Sequence, residues 1–192
     1  MIERHPFKPF LPENAKVLLL GSFPPKPQRW SMDFYYPNFI NDMWRLTGLL
    51  FFMDTSHFII QSGKKGRFDK ESIERFCKDK GIAMFDTATQ IRRLKDNASD
   101  KYLEIVEPSD IDALLKKIPQ CVAIVTTGQK ATDIIAEKYN CPKPDLGKSV
   151  EIFVEGRRLN FYRLPSTSRA YPLPLEKKAE YYRKMYQETG LL

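Results

Sequence analysis

The chain has 192 residues, 42% of them hydrophobic, which is enough to bury one sizeable core, so we expect a single domain spanning residues 1–192. Lys and Arg outnumber Asp and Glu by 31 to 24, and the net charge of +7 suggests a nucleic-acid partner, although it could also serve solubility alone. The cysteines are scattered without a C-x-x-C pair and histidines are few, which argues against a metal centre. The N-terminus is charged, which argues against export, and no apolar run approaches the 18 or so residues of a membrane span. We therefore expect a reduced, cytoplasmic protein.

The first predicted elements are a strand and a helix. Residues 15–25 form an apolar run that Gly21 and a proline pair stop, which indicates a buried strand ending in a rigid loop. The next apolar residues at roughly helical spacing are Met43, Trp44, Leu46 and Leu50. A helix is therefore predicted to begin near Asn41.

Two helix-and-strand units follow along the chain. Residues 69–80 predict an amphipathic helix begun by Asp69, and the segment GIAMFDTA predicts a second buried strand behind it. Asp110 begins another predicted helix, DIDALLKKI, ahead of the strongest strand, CVAIVTTG. Gly128 then precedes the helix-like segment QKATDIIAEKY.

The C-terminal part of the pattern completes the fold prediction. Two β-rich runs lie about a turn at Glu155 and Gly156, and LEKKAEYYRKMYQE predicts a final helix. Strands that alternate with helices favour parallel pairing, so we predict an α/β fold, a three-layer α/β/α sandwich with a central, mostly parallel sheet. Ligands bind such folds at the carboxyl ends of the strands, which should gather the loops that follow Leu20, Phe85, Val125 and Leu164 on one rim.

The loop after the first of these strands has an unusual composition. Its sequence, GSFPPKPQRWSMDFYYPNFINDMW, combines a Gly-Ser turn, prolines, a tyrosine pair and an asparagine at the predicted helix start. Each residue could serve structure alone, because Pro and Gly punctuate loops and aromatic residues pack on cores. Their grouping in one long loop at a strand end favours a functional site.

The loop after the last strand, LPSTSRAYPLPLEKK, is rich in hydroxyl groups. Hydroxyls, backbone N–H groups and a helix N-terminus suit phosphate oxygens. The alternative is that Ser166, Thr167 and Ser168 only cap and turn the chain. Other basic residues that could follow a phosphate backbone are Lys26, Arg29, Arg92, Arg93, Lys148, Arg157 and Arg158.

Together these segments resemble the signature regions of the uracil-DNA glycosylase superfamily, and most closely its branch of mismatch-specific uracil and hypoxanthine-DNA glycosylases. That branch has a Gly-Ser-x-Pro turn after a strand, an aromatic pair, an N-x-F-W-like element and an L-P-S-T-S segment. The matching segments here are GSFP at 21–24, YY at 35–36, NDMW at 41–44 and LPSTS at 164–168. Weaker agreement in GIAMFDTA, the Ser99-Asp100 pair and TTGQKA extends the resemblance over about residues 10–187.

The resemblance implies roles for residues in both loops. In the family, an aromatic ring five residues before the motif asparagine forms one wall of the base pocket. This ring corresponds to Tyr36, and Phe23 is the second candidate for the wall on which the base stacks. Asn41 corresponds to the asparagine that positions the attacking water. The implied residues are Gly21, Phe23, Pro24 and Tyr36 for the base pocket, Asn41 and Ser22 for catalysis, and Pro165, Ser166, Thr167, Ser168 and Arg169 for DNA binding.

The sequence departs from the family pattern in two places. Many members carry Asn or Asp in the first motif to position the water, whereas Ser22 and Phe23 stand there in this chain. A small residue or Pro usually follows L-P-S-T-S, whereas this chain has Arg169, which could fill the gap left by the flipped base or clamp the adjacent phosphates. If Asn41 does not position the water, Ser22 or the Ser99-Asp100 pair is the next candidate.

The implied function is base-excision repair by a monofunctional DNA glycosylase. Such an enzyme hydrolyses the N-glycosidic bond of a flipped uracil or hypoxanthine, and we expect it to act without metal or cofactor, as a monomer, on DNA that contains a damaged or mispaired base. One alternative is a catalytically inactive relative that binds damaged or single-stranded DNA. The other alternative is an unrelated α/β enzyme that acts on a nucleotide-like small molecule. The chain lacks the G-x-x-x-x-G-K-[ST] and G-x-G-x-x-G motifs, which argues against this alternative.

Overall fold

The computed structural model describes residues 1–62, 65–94 and 102–192. Its strands are β1 (Ile2–Arg4), β2 (Val17–Gly21), β3 (Ile59–Ser62), β4 (Lys65–Phe68), β5 (Ile82–Asp86), β6 (Ala88–Arg93), β7 (Leu103–Pro108), β8 (Ala123–Thr127), β9 (Ser149–Val154) and β10 (Arg157–Leu164). Its helices are α1 (Met43–Phe52), α2 (Lys70–Lys80), α3 (Ile111–Lys116), α4 (Gln129–Lys138) and α5 (Leu175–Glu188).

The largest sheet of the described residues has five strands in the order β5-β2-β8-β10-β9. The first four of these run parallel, and β9 pairs antiparallel with β10 at the edge. Every residue of β2, β5 and β8 is buried, because the strands of a parallel sheet are covered on both faces, and Phe10 pairs with Met84 along the outer edge of β5. The prediction of an α/β fold with a mostly parallel central sheet is therefore confirmed.

The helices begin close to the predicted positions. The Asp69 side chain accepts the N–H of Ser72, and the Asp110 side chain accepts the N–H of Ala113, so that α2 and α3 both start at side-chain N-caps. Gly128, with a φ of 130°, leads from β8 into α4. α1 and α5 pack against each other, which brings the first long loop and the last loop close together. None of the helices in the described part of the chain has the length and apolar character that crossing a membrane requires.

Two smaller sheets were not predicted from the sequence. The strands β1, β6 and β7 form an antiparallel sheet, and β3 and β4 form a hairpin. The three-stranded sheet covers only a small apolar cluster of Ala88, Ile91 and Leu103, against which Phe23 packs. The sheet was not predictable because so few apolar residues leave no clear alternating pattern along its strands. In addition, β1 pairs with residues about 90 positions away in the sequence.

Candidate active site

A cavity of about 140 Å³ opens where the parallel strands end. Gly21 ends β2, Asp86 ends β5 and Thr127 ends β8, and all three residues line the cavity. Ser166 lines it from the loop that follows β10. The loops after these strands share one rim, as predicted for the carboxyl ends of a parallel sheet.

Most residues proposed from the sequence line this cavity. They are Gly21, Ser22, Phe23, Pro24, Tyr36, Asn41, Ser166, Thr167 and Ser168. Pro165 is buried behind the rim, and its carbonyl oxygen accepts a hydrogen bond from the Tyr182 hydroxyl at 2.9 Å. Arg169 borders a neighbouring cavity instead. The Ser99-Asp100 pair lies outside the described residues.

Gly21 has no room for a side chain. A Cβ atom at this position would lie 2.5 Å from Oδ1 of Asp86 and 3.8 Å from the hydroxyl of Tyr36. Any larger residue would therefore displace the Asp86 carboxylate from the cavity wall.

The Asp86 carboxylate is a site group that the sequence analysis missed. Asp86 is buried, and its Oδ2 lies 2.9 Å from Nε2 of His5, a residue 81 positions earlier. Phe7 donates its N–H to Nδ1 of His5 at 3.2 Å, which puts the proton of a neutral imidazole on Nε2, facing Asp86. In the imidazolium form, Nδ1 would instead donate to the Phe7 carbonyl at 2.9 Å. Because Asp86 ends a buried strand, the sequence could have identified it as a candidate site residue, but no sequence pattern links Asp86 to His5.

Aromatic rings surround the pair of His5 and Asp86. The rings that contact His5 are Phe7, Phe23, Tyr35 and Phe85, at centroid separations of 4.7 to 6.2 Å. Burial, reinforced by the nearby Asp86 and Tyr36, raises the pKa of Tyr35 well above its usual value. The Tyr35 phenol is therefore neutral and donates to the Lys8 carbonyl at 2.9 Å. Water is largely excluded from this side of the cavity, which strengthens the interaction between His5 and Asp86.

Tyr36 adopts an unusual backbone conformation beside the cavity. Its φ of 52° lies in the left-handed region, which residues with bulky side chains rarely adopt. Its hydroxyl lies 2.7 Å from Oγ1 of Thr127, at the end of β8. The half-buried ring is thus fixed both through its backbone and through its hydroxyl, and it lines the cavity.

Asn41 both starts α1 and lines the cavity. Its Oδ1 accepts the N–H of Met43 at 2.9 Å, although Asp42 occupies the N-cap position. Its Nδ2 has no hydrogen-bond partner among the described residues. Both interpretations of Asn41, as a helix-capping residue and as a functional group, fit this geometry.

A buried ion pair joins the two loops. Nζ of Lys178, a residue only 1% exposed, lies 3.2 Å from Oδ2 of Asp42 and donates to the Ser168 carbonyl at 2.9 Å. Nε of Arg169 donates to Oδ1 of Asp42 at 2.9 Å. The backbone N–H of Asp42 also donates to the Thr167 carbonyl at 2.9 Å. We call Asp42, Arg169 and Lys178 the charged clasp, since they hold the loop after β10 against the residue that follows Asn41.

A groove of about 840 Å³ lies beside the cavity. Asn38, Asn41, Ser166 and Ser168 line both. The charged residues along the groove are Arg29, Lys130, Asp133, Glu137 and Arg169. A polymer that inserts one unit into the cavity can therefore extend along the groove.

Some basic residues proposed for phosphate contact are engaged within the protein. The guanidinium of Arg157 donates to carbonyl oxygens at and beyond the end of α3. Arg93, with a side chain 5% exposed, pairs with Glu3 and donates to the Pro24 carbonyl. The basic side chains beside the groove are Arg29, Lys130 and Arg169, of which Lys130 donates to the Leu103 carbonyl at 2.8 Å and Arg169 pairs with Asp42.

The described residues contain no group of three or more His, Cys, Asp or Glu that could hold a metal ion. Burial raises the pKa of the Cys77 thiol well above its usual value and that of Cys121 to about 11, so neither is a reactive thiolate at neutral pH. The polar side chains that line the cavity are amides, hydroxyls, phenols and the Asp86 carboxylate.

No protein-family model and no curated protein matches the sequence. Among solved structures, the chain is similar to the solution NMR structure of "a putative Uracil DNA glycosylase from Methanosarcina acetivorans". The two chains share 21% sequence identity with a TM-score of 0.66, and the match covers 99% of each. At this level of identity the likeness establishes a shared fold over essentially the whole chain.

Proposed function

We propose that this chain is a monofunctional DNA glycosylase of base-excision repair that hydrolyses the N-glycosidic bond of a flipped uracil or hypoxanthine. The observation that carries the proposal is the cavity in which Asn41, Asp86 and Tyr36 meet at the strand ends. The fold shared with a protein described as a glycosylase supports it. We place the chain in the mismatch-specific uracil and hypoxanthine branch of the uracil-DNA glycosylase superfamily, as one three-layer α/β/α domain that acts as a monomer in the cytoplasm.

The proposed base pocket combines an aromatic wall with a hydrogen-bond acceptor. The base must leave the duplex, at a cost that is lowest for a mispaired nucleotide, and it then stacks on Tyr36 with Phe23 as the second ring. Uracil and hypoxanthine each carry a ring N–H. Asp86, with Oδ2 held by His5, accepts from this N–H through Oδ1. Backbone groups of residues 21–25 meet the rest of the polar edge.

Asn41 is the proposed water-positioning group. Cleavage builds positive charge on the sugar and leaves the bonding electron pair on the departing base. The water held by the Asn41 amide adds its oxygen to the sugar carbon, and its proton goes to the departing base or to solvent. Because an amide cannot take that proton at neutral pH, Asn41 contributes by orientation, and Ser22, which also lines the cavity, is the second catalytic candidate.

A panel of oligonucleotides carrying uracil, hypoxanthine, xanthine or a G:T mismatch tests the proposed function. We expect release of uracil or hypoxanthine that leaves an abasic site in an intact strand, because no lysine lines the described cavity to act as a Schiff-base nucleophile. Full activity is expected in EDTA. Strand breaks before alkali treatment, or loss of activity on chelation, would contradict this mechanism.

DNA binding is expected to weaken steeply with salt. The net charge of +7 and the Arg-bearing loops suggest that about 4 to 6 phosphates are neutralised, which gives a log-log slope of about −4 to −5 on duplex DNA. Equilibrium titrations from low to moderate salt measure this slope. A flat response would refute a nucleic-acid partner.

Two observations favour a second function, binding of damaged DNA without cleavage. Oδ1 of Asn41 already caps α1, and the first motif has Ser22 and Phe23 where many relatives have Asn or Asp. Such a protein would hold the same DNA in the same groove and release no base. Tight binding without product in the oligonucleotide panel would select this function.

A further inference from the structure

Helix α5 presents two fully buried polar side chains to the loop after β10. Lys178 is 1% exposed, and Tyr182, about one turn further along the helix, is 0% exposed. Nζ of Lys178 donates to the Ser168 carbonyl and the hydroxyl of Tyr182 donates to the Pro165 carbonyl, each at 2.9 Å. The proposed mechanism uses neither side chain, so we looked for their function in the way they hold the backbone of this loop.

Lys178 also binds the segment that carries Asn41. Its Nζ lies 3.2 Å from Oδ2 of Asp42, which directly follows Asn41 in the sequence. The backbone N–H of Asp42 donates to the Thr167 carbonyl at 2.9 Å, so the same two segments also meet through their main chains. One ammonium group therefore connects the loop that carries Asn41 with the loop after β10.

A buried ion pair fixes geometry more than it adds stability. Removing an ammonium and a carboxylate from water is costly, and apolar side chains of similar volume often stabilise a protein as well or better. The hydrogen-bonded pair instead sets direction and distance, because Nζ of Lys178 meets the Asp42 carboxylate and the Ser168 carbonyl at once. Geometry is what a water-positioning amide requires, since a misplacement of about 1 Å can lower a rate by about 10²-fold.

We propose that Lys178 is a positioning residue that sets the Asn41 amide against the loop after β10, an inference that rests on the proposed function. Asn41 and residues 166–168 line the same cavity from these two loops. The proposed water is held by Asn41, whereas the hydroxyls of residues 166–168 bind the proposed DNA, so the distance between the loops decides where the water meets the sugar. Because Lys178 is buried behind both loops, it acts only through their positions.

A double-variant cycle with Asn41→Ala tests whether Lys178 acts through Asn41. Lys178→Met is expected to lower the maximal single-turnover rate, measured at saturating protein, about tenfold or more, because the amide is misplaced. In the Asn41→Ala background the same change should lower the rate by less than about twofold, since no amide remains to be positioned. Lys177→Met, which removes an exposed lysine from the same helix, is the matched control and should cleave at the wild-type rate.

A second variant separates positioning from stability. Asp42→Asn combined with Lys178→Met buries no unpaired charge and should regain part of the lost stability, yet it has no ammonium to connect the loops and should stay about tenfold slow. Rates are compared at a temperature at which circular dichroism shows each variant to be folded. Activity that recovers together with stability would show that Lys178 is purely structural, and losses that multiply in the cycle with Asn41→Ala would show that it does not act through Asn41. Either result overturns the proposal.

Hydrogen exchange of the free protein follows the two loops without DNA. In the variant that combines Asp42→Asn with Lys178→Met, amide exchange should rise in residues 38–43 and 165–170 and stay as in the wild type in β2. Unchanged exchange in both loops overturns the proposal whatever the substrate. A wild-type protein that cleaves no oligonucleotide refutes the proposed function and the positioning of its water, whereas an active wild type with unchanged rates in the variants refutes the positioning alone.

Discussion

Asn41→Ala is expected to lower the single-turnover rate of base release by about 10²-fold or more while DNA affinity stays nearly unchanged. The Asn41 amide lines the cavity, and its Nδ2 has no hydrogen-bond partner in the described part of the chain, so the proposed water is its natural ligand. Its loss removes an interaction made in the transition state. The proposed contacts with the phosphates come from other residues along the groove, which is why binding should persist.

A stability control must accompany this measurement. Oδ1 of Asn41 also accepts the N–H of Met43, and losing such a cap costs about 1 kcal/mol, which could imitate a catalytic defect through unfolding. Asn41→Ser retains a side-chain acceptor at the start of the helix and shortens the side chain, so it should melt like the wild type and cleave as slowly as Asn41→Ala. A folded and fully active Asn41→Ala would show that the catalytic assignment is wrong, and Ser22 or the Ser99-Asp100 pair would then be tested.

Lys178→Met is expected to lower the free energy of unfolding by about 3 kcal/mol, toward the lower end of the cost of breaking a buried ion pair. The change leaves Asp42 buried and removes the hydrogen bond to the Ser168 carbonyl. Arg169 keeps one oxygen of Asp42 paired, which limits the loss. Urea unfolding monitored by circular dichroism measures the effect.

Neighbouring and double variants show whether the charge pair causes this loss. Lys177 precedes Lys178 but has a side chain 61% exposed, so Lys177→Met should leave the unfolding midpoint unchanged. The double variant Asp42→Asn with Lys178→Met buries no unpaired charge and should regain part of the lost stability. Wild-type stability in Lys178→Met would contradict the assignment of the charged clasp.

The sequence predicted elements whose residues share one environment along their length. The strands β2, β5 and β8 are buried throughout because both faces of the sheet are covered, and Asp69 and Asp110 mark helix starts because their side chains accept local N–H groups. The rim was predictable for the same reason, since parallel strands end on one side. The antiparallel sheet of β1, β6 and β7 was not, because it depends on contacts between distant segments.

The candidate site shows the same limit at single residues. Lys177 and Lys178 are adjacent in a charged helix, and only the packing of α5 on α1 makes one of them exposed and the other buried. Asp86 stands visibly at a strand end, but its partner His5 comes from the N-terminal segment, and local patterns carry no information about such a pair. The resemblance to known motifs identified most of the cavity lining and did not reveal these interactions.

The most direct test of the central claim is mass spectrometry of the products formed under single-turnover conditions in EDTA. The substrate is a duplex with one uracil or one hypoxanthine, saturated with the wild-type protein, and Asn41→Ala is run in parallel. We predict the free base together with a full-length strand that carries an abasic sugar, formed much more slowly by the variant. A saturated duplex whose mass stays unchanged with the wild-type protein would contradict the claim that this chain is a glycosylase.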